Sequence, residues 1–260
     1  MNIHKTFSFL AVGALAISML ACNLGKGPAS PEDTTNENPV EAPADNSSNS
    51  AGSCDNPYMP IITGATWSYK LTGPVPDTFI RNITSVEASG FADQEVFGSG
   101  VTRQSKWNCD NGNLIALNPS DGGSSTINTE GYSVDFQTTA ASGVTLPAAM
   151  NPGDSWTQTI TLEGIQTING TEIPSKNQFS NTCTVIGVES LAVEAGTFDA
   201  MRVDCLTVMD ITITMQDNPI QQNLTLNGTN WYAENVGLLK TVTTGGGLDS
   251  TIELTSYNIP

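Results

Sequence analysis

Three Asn-Gly pairs, Asn111-Gly112, Asn169-Gly170 and Asn227-Gly228, each sit between short runs that alternate apolar and polar residues. Both residues of such a pair tolerate positive φ, as a type I′ turn requires, so the pattern predicts antiparallel hairpins. Further strands are expected at 66–71, 79–86, 131–138, 155–162, 182–189, 200–209, 237–243 and 251–257. No window carries the 3.6-residue period of an amphipathic helix, whereas Ser133-Val134-Asp135-Phe136 alternates with period two. The chain has 24 Gly and 14 Pro, and only 13% of its residues are charged. That composition suits a turn-rich all-β protein and excludes a coiled coil.

A weak internal repeat suggests two halves on one plan. Pro60 to Gly64 and Trp67 are echoed by Pro147 to Gly153 and Trp156, with a Gly three residues before a Trp in both. Val86-Glu87 is echoed by Val188-Glu189, and Trp107 to Asn111 by Trp231 to Asn235. The order of elements is shared while the spacings drift.

The start of the chain does not belong to that fold. Met1 to Lys5 is short and positive, and Phe7 to Ala21 is apolar apart from Ser8 and Ser18. This run is too short to span a bilayer and reads as an export signal, residues 1–21. Its end, Met19-Leu20-Ala21-Cys22, resembles the signal of bacterial lipoproteins, with Met19 where Leu is commonest. The resemblance implies a diacylglycerol on the Cys22 thiol, cleavage before that residue, and acylation of the new amino group. Two or three acyl chains, at about 0.8 kcal/mol per buried CH₂, hold a protein permanently at a membrane.

Residues 22–53 form an acidic linker. Pro28, Pro31, Pro39 and Pro43 alternate with Glu32, Asp33, Glu37, Glu41 and Asp45, and no aromatic residue is present. Such a segment cannot bury enough apolar surface to offset the entropy of ordering. As a coil it spans about 30 Å, which lifts the β-domain, residues 54–260, off a lipid surface.

Three stretches of that domain resemble a broad group of bacterial lipoproteins that share a domain of unknown function. They are Pro60 with Gly64-Ala65-Thr66-Trp67-Ser68-Tyr69, the hairpin Val193-Glu194-Ala195-Gly196-Thr197-Phe198-Asp199-Ala200, and Trp231-Tyr232-Ala233-Glu234-Asn235-Val236-Gly237-Leu238-Leu239-Lys240. The resemblance implies an antiparallel curved sheet or partial barrel, loosely similar to lipoprotein-carrier folds, and implies no activity.

With Cys22 lipidated, Cys54, Cys109, Cys183 and Cys205 remain. Four cysteines in an exported chain suggest two disulfides, with three pairings open. Cys183 and Cys205 lie nearly equidistant from the Ala195-Gly196 turn, which points to that pair and leaves Cys54 with Cys109. No CxxC spacing occurs, so no zinc site is expected. Asp110-Asn111-Gly112-Asn113 lacks the spacing and the closing Glu of a calcium loop, and a hairpin turn explains it better.

Removal of the signal takes Lys5 and His4 and no acid. The mature chain then carries 26 acids against 8 bases, a net −18, and no histidine. Nucleic acid is an unsuitable partner for such a surface. Ser-His-Asp, Cys-His and HExxH chemistry are excluded, and neither G-x-S-x-G nor S-x-x-K occurs. Two carboxylates suffice for a glycosidase, yet nothing in the sequence singles out a pair. No cofactor and no metal are expected. Trp67, Trp107, Trp156 and Trp231 are the candidate binding residues, against the plainer reading that they pack the core at strand starts. The expected protein is therefore a non-catalytic, lipid-anchored envelope protein that binds an apolar ligand or an envelope protein. A structural or adhesive surface module and a carboxylate-dependent hydrolase are the alternatives. Asn23 after the anchor cysteine favours the outer membrane or cell surface over the inner membrane.

Overall fold

The computed structural model describes residues 54–117, 126–129, 132–215 and 218–260. The expected signal segment, Cys22 and the linker lie outside the described residues. Thirteen strands follow in chain order: β1 (Thr66–Thr72), β2 (Asp77–Glu87), β3 (Gly90–Phe97), β4 (Thr102–Asp110), β5 (Asn113–Ala116), β6 (Thr126–Thr129), β7 (Tyr132–Gly143), β8 (Ser155–Ile168), β9 (Thr171–Val193), β10 (Gly196–Met215), β11 (Asn218–Ala233), β12 (Gly237–Thr244) and β13 (Ser250–Asn258). They make one antiparallel sheet in the order β5-β4-β3-β2-β1-β13-β12-β11-β10-β9-β8-β7-β6. Within β1–β5 and within β6–β13 each strand pairs with its sequence neighbour, and the β1–β13 pair joins the two meanders. The all-β class and the curved, barrel-like architecture are those expected.

Period-two alternation places the core. In β4 Trp107 and Cys109 are buried while Lys106 and Asn108 are exposed. In β10 Val203, Cys205, Met209, Ile211 and Ile213 are buried, and Leu206 and Asp210 face out. Inward aromatic rings meet across strands: Tyr69 stacks on Phe79 and Phe79 on Phe97, each at 5.0 Å, and Phe91 stacks on Trp107 at 5.3 Å. Such pairs contribute about 0.5–1.5 kcal/mol beyond their buried area. The sheet curls until its β5 edge meets the β7–β8 connection. There Leu114 N–H donates to Leu146 O (2.9 Å) and Thr145 N–H donates to Leu114 O (2.9 Å).

The two halves share a hydrogen-bond plan. Gly64 N–H bonds Ile83 O and Gly153 N–H bonds Val185 O, at 3.1 and 2.9 Å. Ile83 N–H returns to Ala65 O (3.1 Å), and Val185 N–H to Asp154 O (2.9 Å). A bulge follows each site, between Ile83 and Ser85 in β2 and opposite Arg202/Val203 in β9. The turns after Trp107 and Trp231 also match, with Asn111 at φ 49° and Asn235 at φ 60°. One half is β1–β5, the other β8–β12.

Two Asn-Gly pairs make the expected turns, joining β4 to β5 and β8 to β9. The third does not. Asn227 and Gly228 lie inside β11, opposite Leu206 and Cys205 of β10 and Thr244 and Thr243 of β12. Ladder bonds on both sides override the local turn preference, a common tertiary override of propensity.

Both disulfides are present. Cys54 joins Cys109, and Cys183 joins Cys205, directly opposite it in the β9–β10 ladder. The slight asymmetry of the second pair about its turn is taken up by the bulge between them.

Candidate functional site: the aromatic end of the barrel

Trp67 opens β1 and Trp156 opens β8, so the shared plan of the halves brings both to the same end of the barrel. Trp107, near the end of β4, arrives there as well. The three line one cavity with Tyr58, Met59, Tyr69, Arg81, Asn181, Asn230 and the Cys183–Cys205 disulfide. Trp67 Nε1–H donates to Val236 O (2.6 Å), Trp156 Nε1–H to Thr145 O (3.2 Å), and the Tyr69 hydroxyl to Leu238 O (2.9 Å). These three polar handles are turned onto backbone, whereas the buried Trp107 Nε1–H has no hydrogen-bond partner. Trp231 departs from the expectation that all four Trp share a groove. It sits outside the cavity wall, with Nε1–H on Glu189 Oε1 and the Arg202 guanidinium 6.0 Å from its ring.

The cavity itself is about 50 Å³. At about 30 Å³ per molecule that is room for one or two waters. Amides occupy the wall beside the disulfide: Asn181 donates to Cys183 Sγ (3.4 Å) and Asn230 to Cys205 Sγ (3.5 Å). Thr207 and Thr241 donate to the carbonyl oxygens of the same two side chains, at 2.9 and 2.7 Å. These are satisfied structural groups.

A charge cluster lies beside the cavity, and the sequence reading did not single it out. Arg81 Nε donates to Asp93 Oδ2 at 2.6 Å and Nη2 bonds the same oxygen. The Asp93 side chain is only 2% exposed. Arg103 pairs with Glu95 at 3.9 Å and lies 4.5 Å over the Phe97 ring, while Arg81 lies 5.5 Å over Trp107. Burial works against the Arg81 charge, but Asp93 and Glu95 outweigh it and hold its pKa above the ordinary value. Burial also raises the pKa of Tyr69, with Arg81 opposing and Glu95 assisting. Tyr58 is raised by burial and then by Glu234. A signal existed in the sequence: Arg81 shares the parity of Phe79 and Ile83, and Asp93 that of Phe91 and Phe97. A charge on an apolar face needs a buried partner.

Asp93 and Glu95 are therefore tied to arginines. Among the described residues no group of three His, Cys, Asp or Glu side chains is placed to hold a metal ion.

A second concavity lies between β3–β4 and β7, and its lining mixes exposed side chains with the buried Asp93 and Phe136. It is a groove of about 840 Å³ lined by Thr84, Gln94, Thr102, Gln104, Phe136 and Gln137, among others. Ile80 and Val96, opposite each other in the β2–β3 ladder, are 50% and 43% exposed on the outer face of the sheet.

Residues 99–254 match the DUF3108-like family profile. The chain belongs to the DUF3108-like family. The match runs from the turn before β4 into β13 and so takes in most of the sheet. Among solved structures, this DUF3108-like chain is similar to a Bacteroides fragilis NCTC 9343 protein described as exported and of YmcC-like fold. That likeness has TM-score 0.50 and 16% identity, covering 79% of this chain and 100% of the other. A Parabacteroides distasonis ATCC 8503 protein described as a lipoprotein gives 0.49 and 20%, with coverages of 78% and 99%. The hypothetical lipoprotein YmcC of Escherichia coli (K12) gives 0.37 and 12%, with coverages of 82% and 91%. No curated protein matches.

Proposed function

We propose that this DUF3108-like protein is a lipid-anchored, non-catalytic module of the outer membrane or cell surface that binds a partner protein through the outer face of β2–β4. The observation that carries the reading is the small size of the cavity at the aromatic end of the barrel. A cavity of about 50 Å³ has no room for an acyl chain, so in this closed form binding falls to the surface. On the outer face of β2–β4, the exposed Ile80 and Val96 adjoin Thr102, Asn82 and Gln94 in the ladder, and Gln94 and Thr102 also line the larger groove. Apolar contacts bordered by neutral polar groups are the chemistry of protein interfaces. The Met19-Leu20-Ala21-Cys22 signal supports the anchor. The absence of histidine from the mature chain and the engagement of Asp93 and Glu95 by arginines support a non-catalytic role.

The test is in-cell photo-crosslinking of the full lipidated chain. A photoreactive residue at Gln104, in the groove, is expected to give one discrete adduct that Ile80→Asp abolishes. The same residue at Gln178, exposed on β9, is expected to give none. Equal labelling at both positions, or no adduct at Gln104, overturns the reading.

A further inference from the structure

We infer that residues 55–61 are a hinged lid over a latent binding site for an aromatic-ring compound, walled by Trp67, Trp107, Trp156 and Tyr69. This goes beyond the surface role proposed above and does not depend on it. The segment crosses the aromatic end of the barrel and drops Tyr58 and Met59, both buried, against the Trp-lined wall. Its two ends are fixed. Cys54 is bonded to Cys109 of β4, and Gly64 N–H is bonded to Ile83 O just before β1. Between those points it belongs to no strand. Its hold on the barrel is local: Asn56 Nδ2 donates to Gly112 O (2.8 Å) and Pro147 O (3.1 Å), and Asn235 N–H donates to Pro57 O (2.7 Å).

The equivalent approach to the second half is held differently. Thr145 and Leu146 make reciprocal backbone bonds with Leu114 and close the sheet edge. Of the two approaches, the first is the one that lifts without breaking a ladder. The disulfide matters to this device. It keeps the lid attached when raised and passes any pull from the membrane linker to β4 rather than to the lid.

Ligand class follows from what the lid displaces. Raising Tyr58 and Met59 frees the space of one aromatic and one linear side chain, added to the existing cavity. Three indoles and a phenol present faces and edges that suit a ring; Trp67, Trp156 and Tyr69 have their polar atoms on backbone, and the buried Trp107 Nε1–H has no hydrogen-bond partner.

The experiment uses the mature full chain and the neutral probe N-phenyl-1-naphthylamine. In wild type, hydrogen exchange of the 55–61 amides is expected to be at least ~100-fold faster than that of β1 and β13, because the lid opens locally while the sheet stays closed. Asn56→Ala is expected to raise that exchange further. It should also tighten probe binding at least ~10-fold, to one per chain with quenching of tryptophan emission, since apparent affinity scales with the open fraction. Two results overturn the proposal. One is exchange of 55–61 in wild type only together with β1 and β13, which needs no variant to observe. The other is a variant whose lid exchanges faster while its probe affinity stays at the wild-type value.

Discussion

The disulfides set stability through the loops they close, 55 residues for Cys54–Cys109 and 22 for Cys183–Cys205. Chain-entropy arithmetic, −2.1 − 1.5R ln n, gives about 4.2 and about 3.4 kcal/mol at 25 °C for these two loops. For a domain of this size each kcal/mol moves the melting midpoint by about 2–4 °C, so loss of the first costs about 8–17 °C and loss of the second about 7–14 °C. The structural consequences differ as well. Cys183 and Cys205 face each other across a ladder that continues for many residues either way, so Cys183→Ala/Cys205→Ala should leave register intact. Cys54 fixes a segment outside the sheet, so Cys54→Ala/Cys109→Ala should also free residues 54–62. Thermal melts of both double variants, with hydrogen exchange on each, separate the two effects. Peptide mapping of the non-reduced wild type supplies the pairing. A map linking Cys54 to Cys183 or Cys205 refutes the reasoning, as does a melting midpoint that neither double variant moves.

Other perturbations probe the interior. Asp93→Ala strands the Arg81 guanidinium in the core and should cost about 3–5 kcal/mol in a denaturant melt, while Arg81→Leu/Asp93→Leu should recover most of it. An equal loss from the single and double variants contradicts the buried-pair account. Gly164→Ala would place a Cβ 2.0 Å from Asp135 O in β7, so backbone must move, at a cost of about 1–3 kcal/mol read from the same melt. Cys22→Ser should abolish palmitate labelling and leave the signal uncleaved; labelling that persists moves the anchor elsewhere.

Much of the fold was legible because period-two alternation and Asn-Gly turns are local signals. β1, β12 and β13 begin and end within about a residue of their expected positions. Strand length was less visible. The expected 182–189 is the middle of β9, Thr171–Val193, whose outer part reads as polar because Ser175 and Asn177 face the core. β3 escaped notice because Asp93 and Glu95 interrupt its apolar parity, and only the tertiary partners Arg81 and Arg103 make that pattern intelligible. Gly228 shows the opposite failure, a strong local turn signal silenced by strands on both sides. At the site, the common plan of the halves foretold that Trp67 and Trp156 start equivalent strands. It did not foretell that Trp107 lines the cavity while its counterpart Trp231 lies outside it. The lid was invisible as such. Residues 54–62 have no periodic signal, and their place over the cavity follows from Cys109, Gly112 and Asn235, all distant in sequence.

The central claim is that the cavity at the aromatic end, about 50 Å³ when closed, leaves no place for a long apolar cargo. Native mass spectrometry of the lipidated protein purified from its own membranes, followed by organic extraction, tests it directly. The account predicts the mass of the acylated polypeptide with two disulfides and no further stoichiometric component. One long-chain lipid retained per chain, and released only on unfolding, would contradict it.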